Sequence, residues 1–290
     1  MSKFVFLNNQ LVPQDEAKIS VYDHGFLYGD GLFDTMRAYN GKVFRLEQHL
    51  DRLQGNARCL ALSMPWSREE LAKAIQTTIQ ANNLSEAYIR LTISRGPGPI
   101  GIDPRLCPQP TLVIMAKELI PLPNEDYTKG IDTITLNTRR NPIQSLDPSL
   151  KSLSFLNNIL AKLELINAGI SEGIMLNYES VISEGTVSNI FWVSQGVLYT
   201  PSPEVGILLG ITRQTVLEIS AEAGLEAHQG AYAAEQLYQA DECFFTNSSG
   251  ELRPVTQVDG QVIGDGKPGP VTRRLHEIYR EVVSRQTKCK

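Results

Sequence analysis

Cysteine is scarce. Cys59, Cys107, Cys243 and Cys289 are the whole supply in 290 residues, and no two stand in a Cys-x-x-Cys spacing. Neither a thiolate zinc site nor a disulfide framework follows from them. His24, His49, His228 and His276 show no metal-ligand spacing either, so they read as surface or packing residues and no metal is expected. No apolar run approaches the roughly 20 residues that cross a bilayer. The opening MSKFVFLNNQ lacks the pattern of a signal peptide, which makes a reduced cytoplasm the expected location. Like charges never gather in a block: 27 Lys and Arg mix with 32 Asp and Glu to a net charge of -5. That excludes the basic stripe of a nucleic-acid binder, and neither nucleic acid nor membrane is an expected partner.

A chain that is 42% hydrophobic and 20% charged can bury a large core, and its length suits about two domains. KFVFLNNQLV alternates around Asn8-Asn9, the pattern of a short hairpin. Val43, Leu46, Leu50, Leu53 and Ala57 recur at helical spacing, and REELAKAIQTTIQANN repeats that signal with an asparagine stop. EAYIRLTISRG and PTLVIMAKEL are rich in β-branched residues and predict strands. The breakers of KELIPLPNEDYTKG mark a linker at 121–128 between a smaller domain, 1–120, and a larger one, 129–290. In the second half GIMLN, SNIFWV and GVLYT predict strands, TRQTVLEISAEAG a helix closed by Gly224, and GPVTRRLHEIYREVVSRQ a final helix. The fold class is α/β (α+β), in two domains.

Four features have chemical potential. Gly206 and Gly210 let the chain turn before a helix opening at Ile211 and Thr212, whose first amides lack internal partners. Such an end is either an ordinary turn or a phosphate cradle. Arg52, at the border of an apolar helix face, is either solvated near Glu47 and Gln48 or a fork for phosphate. Glu184, between a strand and a Gly-Thr turn, is either an exposed turn residue or a buried carboxylate beneath a heterocyclic nitrogen. Lys151 precedes an apolar helix, whereas Lys162 lies within it as a solvated lysine. Together a phosphate anchor, a ring partner and an amine are what pyridoxal 5'-phosphate requires.

Six ordered stretches carry a resemblance: SVYDHGFLYGDGLFDTMRAYNGKVFRLEQHLDRL, AYIRLTISRG, DPSLKSLSFLNNILAK, SEGTVSNIFWV, LLGITRQ and TNSSGELRPV. Over essentially its full length the chain resembles the aminotransferase class IV family, the fold-type IV pyridoxal-phosphate enzymes. The resemblance implies a two-domain architecture like that of D-amino-acid aminotransferase, with the cofactor between the domains and a homodimer that completes each active site. It makes Lys151 the lysine that carries the cofactor and moves the proton, and Glu184 the partner of the pyridine nitrogen. It makes Arg52, the amides of Ile211 and Thr212, and the turn at Asn247 and Ser248 phosphate contacts.

Within that family the reaction is read from the substrate side. Phe33, Thr35 and Arg37 in GLFDTMR, Val187, Ser188, Asn189 and Trp192 in VSNIFW, and Asn247-Ser248 resemble the 4-amino-4-deoxychorismate lyases. Tyr88 and Arg90 match a pair that shapes the branched-chain substrate site, and the loop RGPGPIGIDPRLCP also resembles branched-chain enzymes. The expectation is a lyase releasing pyruvate and 4-aminobenzoate from an amine substrate, for folate synthesis. The alternative is a branched-chain L-amino-acid aminotransferase using 2-oxoglutarate; a D-amino-acid aminotransferase ranks third, since no Arg-x-His trap is visible. Arg90 or Arg95 is expected to hold a substrate carboxylate, with Phe33, Thr35 and Tyr88 beside it.

Overall fold

A computed structural model describes residues 3–288. These divide into two compact units: residues up to Ile120, with Lys151–Phe155 and the chain from Val283 onward, and Pro121–Leu150 with Leu156–Val282. This amends the expected boundaries. The segment bearing Lys151 groups with the first unit rather than with the C-terminal one, because its backbone pairs there. The expected linker belongs to the second unit and contains a short helix.

The first unit runs β1 (Phe4–Leu7), β2 (Gln10–Pro13), α1 (His24–Tyr28), β3 (Gly31–Tyr39), β4 (Lys42–Val43), α2 (Leu46–Cys59), α3 (Arg68–Ala81), β5 (Ala87–Ser94) and β6 (Thr111–Glu118). Asn8 and Asn9, with φ of +44° and +72°, make the two-residue turn of the β1–β2 hairpin. Val43 does not start the helix as its spacing suggested; it pairs with Ala38, and α2 begins at Leu46. Ser67 and Glu70 cap α3 reciprocally, and the helix stops before Asn82.

The six strands form an antiparallel sheet in the order β2-β1-β6-β5-β3-β4. Side chains alternate across it. Leu32, Met36, Ala38, Ile89, Leu91 and Ile114 go into one core with Leu50, Leu53, Leu71 and Ile75 from α2 and α3. Each such leucine or isoleucine contributes about 1.5–3 kcal/mol of burial. The intervening residues, among them Phe33, Thr35, Tyr88 and Arg90, stand on the other face, where Thr35 is opposite Arg90.

The second unit holds α4 (Asn124–Thr128), β7 (Ile131–Thr135), α5 (Leu156–Ala168), β8 (Gly173–Leu176), β9 (Ile182–Gly185), β10 (Asn189–Ser194), β11 (Val197–Pro201), α6 (Ile211–Ser220), β12 (Ala227–Gly230), α7 (Glu235–Tyr238), β13 (Glu242–Asn247), β14 (Glu251–Val258) and β15 (Gln261–Val262). The helix α8 (Pro270–Thr287) belongs to it as far as Val282. Its sheet runs β12-β11-β10-β13-β14-β7-β8-β9, with β15 on β14. The pairs β11–β12, β14–β7 and β7–β8 are parallel. Trp192, Phe245, Ile190 and Val255 lead one core, and Leu136, Ala161, Leu165 and Met175 a smaller one under α5. Among the described residues no helix is long and apolar enough to cross a membrane, and no cluster of three metal-ligating side chains occurs. Cys59, Cys107 and Cys243 are unbridged; Cys289 lies outside the described residues.

Candidate active site

Backbone pairing places Lys151. The Phe33 amide donates to the Lys151 carbonyl (2.9 Å), the Leu153 amide donates to the Gly31 carbonyl (2.9 Å), and Ser152 bridges Leu32. The segment thus extends the sheet alongside the start of β3. The Lys151 amine lies 4.7 Å from the centre of the Phe33 ring, and the Arg90 guanidinium carbon 3.7 Å from it. Phe155 meets the same ring edge-on at 5.3 Å. A ring face attracts cations through its quadrupole, so Phe33 gathers both onto one wall. Among the described residues Arg90 has neither a carboxylate nor a hydrogen-bond partner; the Phe33 ring is its only contact of that kind.

Arg95 is different, and its expected role is corrected. Its Nε and Nη2 donate to the two oxygens of Asp30 (2.9 and 3.0 Å), and Nη1 and Nη2 donate to the Ala61 and Leu60 carbonyls (both 2.8 Å). The guanidinium staples Asp30 to the end of α2, leaving no fork for a substrate.

Arg52 is not solvated beside Glu47 and Gln48. Its Nε and Nη2 donate to Asp34 (3.0 and 2.8 Å), whose Oδ1 also lies 2.7 Å from His49 Nδ1. Asp34 is 1% exposed on the helix-facing side of β3. Burial alone would raise its carboxyl, but Arg52 and His49 outweigh that and hold it well below the usual carboxylate range. Burial lowers His49 from its ordinary value, Asp34 opposes the shift, and Arg52 and Lys151 add to it. Asp34 and His49 were missed in the sequence, although a charge among Leu32, Met36 and Ala38 on one strand face was a signal that a buried partner existed.

In the second unit Glu184 stands next to the end of β9 and is 5% exposed. Its Oε1 accepts from Arg140 Nε (2.7 Å), and its Oε2 accepts from the Leu208 amide (2.9 Å) and Asn189 Nδ2 (3.3 Å). Arg140, which no motif announced, also donates through Nη1 to Asn157 and Asn158 (3.1 and 3.2 Å).

The start of α6 is buried at Ile211 and Thr212, and no side chain caps it from Gly210. A Cβ at Gly210 would run into Asn189 Oδ1, and Gly206 has φ of +85°. Buried amides without a capping acceptor suit an anion, so the residues fit a phosphate. Arg213, in the first turn, donates to Pro201 O and Gln229 Oε1 (2.8 and 2.7 Å). Burial pulls its guanidinium down to about 10, opposed by Glu184 and Glu204. Asn247 Oδ1 is committed to its own turn, accepting from the Ser249 and Gly250 amides (3.1 and 2.7 Å). The Ser248 hydroxyl makes no hydrogen bond among the described residues.

The family profile for amino-transferase class IV matches residues 31–258, a span that holds Arg52, Arg90, Lys151, Glu184, Ile211, Thr212, Asn247 and Ser248. The chain belongs to the amino-transferase class IV family. A Methanocaldococcus jannaschii protein, provisionally named a branched-chain-amino-acid aminotransferase, is 42% identical over 96% of each chain. The D-alanine aminotransferase of Listeria monocytogenes is 32% identical over 97% of this chain and 96% of its own. Among solved structures, the Escherichia coli branched-chain amino acid aminotransferase superposes with a TM-score of 0.95 at 31% identity, covering 100% of this chain and 97% of its own. A T.th. branched-chain amino acid aminotransferase complexed with N-(5'-phosphopyridoxyl)-L-glutamate gives 0.92 at 33%, covering 99% and 96%. This class IV chain therefore has the two-domain fold-type IV architecture. The lyase preference drawn from Phe33, Thr35 and Asn247-Ser248 gives way, since these relatives are named as transaminases.

Proposed function

We propose that this class IV enzyme is a branched-chain L-amino-acid aminotransferase that passes the amino group to 2-oxoglutarate, with pyridoxal 5'-phosphate as cofactor. The observation that carries the reading is the Phe33 wall. An aromatic surface suits an aliphatic side chain, and the one unpaired guanidinium stacked on it, Arg90, suits the extra carboxylate of a dicarboxylic partner. Support comes from the T.th. relatives, solved with a glutamate adduct and with 4-methylvaleric acid.

Bound to this chain, the cofactor supplies an electron-withdrawing ring for the charge left when the substrate's α-carbon loses its proton. Lys151 would hold the cofactor, and its amine would take and return that proton. Arg52, the amides of Ile211 and Thr212, and Ser248 bind the phosphate; Glu184 holds a proton at the ring nitrogen. Asn247 shapes the turn that presents Ser248. Thr35, Tyr88 and Phe33 orient the substrate and exclude water. Asp34 fixes the guanidinium plane of Arg52. We also assign the enzyme a homodimeric state, supported by a stripe of exposed Leu156, Ile159, Leu160, Leu163 and Ile166 along α5.

Purified holoenzyme mixed with 2-oxoglutarate and either L-leucine or D-alanine decides the donor, with glutamate as the readout. L-leucine should be the active donor. Turnover with D-alanine alone, or 4-aminobenzoate formed from aminodeoxychorismate, would overturn the reading. After borohydride reduction the cofactor mass should sit on the Lys151 peptide, and Lys151→Ala should lose both the mass and turnover.

A further inference from the structure

The clamp on Glu184 has a consequence for the cofactor's ring nitrogen. A carboxylate offers about four acceptor sites. On Glu184 three are filled, by Arg140 Nε on one oxygen and by the Leu208 amide and Asn189 Nδ2 on the other. The Arg140 fork is itself fixed, since Nη1 donates to Asn157 and Asn158 at the start of α5 and the Arg140 amide donates to Leu176 O (2.8 Å). Asn158 reaches onward, its Nδ2 donating to the Thr186 carbonyl (2.7 Å) just past Glu184. Glu172 closes the same turn by accepting from the Thr186 amide (2.9 Å) and from Ser188 Oγ (3.1 Å). Arg140 and Glu184 are both buried, where an unpaired carboxylate would be costly to keep charged.

We propose that Arg140 is a positioning residue for the cofactor: it pairs with Glu184 and turns it so that its one remaining acceptor site receives the ring N–H. This rests on the reading of Glu184 as the ring-nitrogen partner. Charge and geometry act together here, because the paired guanidinium supplies a counter-charge while its Nε takes one acceptor site of Oε1 and leaves another open. Losing Arg140 then removes the proton from the ring nitrogen, not merely affinity for the cofactor.

The experiment loads wild-type, Arg140→Lys, Arg140→Gln and Glu184→Gln enzymes with pyridoxal 5'-phosphate labelled with 15N in the ring, and reads the ring-nitrogen shift and the cofactor dissociation constant. Wild type and Arg140→Lys should show a protonated nitrogen. Arg140→Gln and Glu184→Gln should move to the unprotonated position, with Arg140→Gln binding the cofactor about tenfold or more weakly. An Arg140→Gln enzyme that binds weakly yet keeps the wild-type shift overturns the proposal, since a purely structural role does that. A wild-type shift in Glu184→Gln instead overturns the reading of Glu184 itself. If Arg140→Gln does not fold, the Arg140 Nε resonance of the wild-type protein, assigned through Arg140→Lys, decides: it should move when the cofactor is loaded, and a resonance that stays put overturns the proposal.

Discussion

Arginines at this site differ by what they already hold. Arg95 spends its donors on Asp30 and two carbonyls, whereas Arg90 sits over the Phe33 ring with no acceptor among the described residues. Arg90→Gln should therefore raise KM for 2-oxoglutarate by about tenfold or more while changing KM for L-leucine far less, as steady-state kinetics will read. Arg95→Gln should instead lower the melting temperature, because Asp30 would stay half-buried without its partner. His49 supplies a pH signature. Folding disfavours its charged form, so as pH falls below the ordinary histidine value the unfolded chain takes up a proton that the folded chain refuses. Stability should therefore drop as pH falls from about 6.5. Urea melts of His49→Gln across that window should show a flatter slope than wild type; an equal slope would mean another group is responsible.

At the scale of elements, local signals and distant contacts divide the work. The α3 helix is announced by its own residues: the Ser67–Glu70 box and buried Leu71, Ala74, Ile75 and Ile79 at helical spacing. Ser67→Ala should cost about 1 kcal/mol in a denaturant melt and leave kcat unchanged. The start of α6 depends on a long-range neighbour instead. Asn189 Nδ2 bonds both Leu208 O (2.8 Å) and Glu184, and its Oδ1 occupies the space a side chain at Gly210 would need. Gly210→Ala should displace Asn189 and loosen the phosphate end and the Glu184 carboxylate together. Equilibrium dialysis should show a weaker cofactor complex, and the melting temperature of the cofactor-free protein should fall as well, because Asn189 is buried and its two acceptors would lose their donor. Strands were readable from β-branched runs, but Val43, apolar and correctly spaced for a helix, went to β4 because Ala38 offered it a ladder partner.

Over the whole molecule, the apolar stripe of α5 matters most. The helix buries Asn158, Ala161 and Leu165 on one side and exposes five large aliphatic residues on another. A second copy seated there would remove that surface from water, and stable dimers bury about 800 Å² per partner. Leu163→Glu should yield a monomer in sedimentation velocity; an unchanged dimer would place the interface elsewhere. The division of the chain shows how far order along the sequence can mislead. Lys151–Phe155 falls just past the middle of the chain yet pairs with Gly31 and Phe33, so the lysine belongs to the unit built from residues far upstream.

The sequence by itself determined the helices, most strands, the two-part chain, the unlike positions of Lys151 and Lys162, and the ordered motifs of the class IV family. Each of these is written in neighbours along the chain: periodicity, caps, turn residues and short patterns. What only the tertiary structure decided is which charge meets which. Asp34 with Arg52 and His49, Arg140 with Glu184, Arg95 with Asp30, and Arg90 with a ring alone are pairings across 15 to 65 residues of chain. A guanidinium has the same composition whether it staples a loop or waits for a carboxylate. Burial and the partner within 3 Å set its role, and both arise from packing between distant segments.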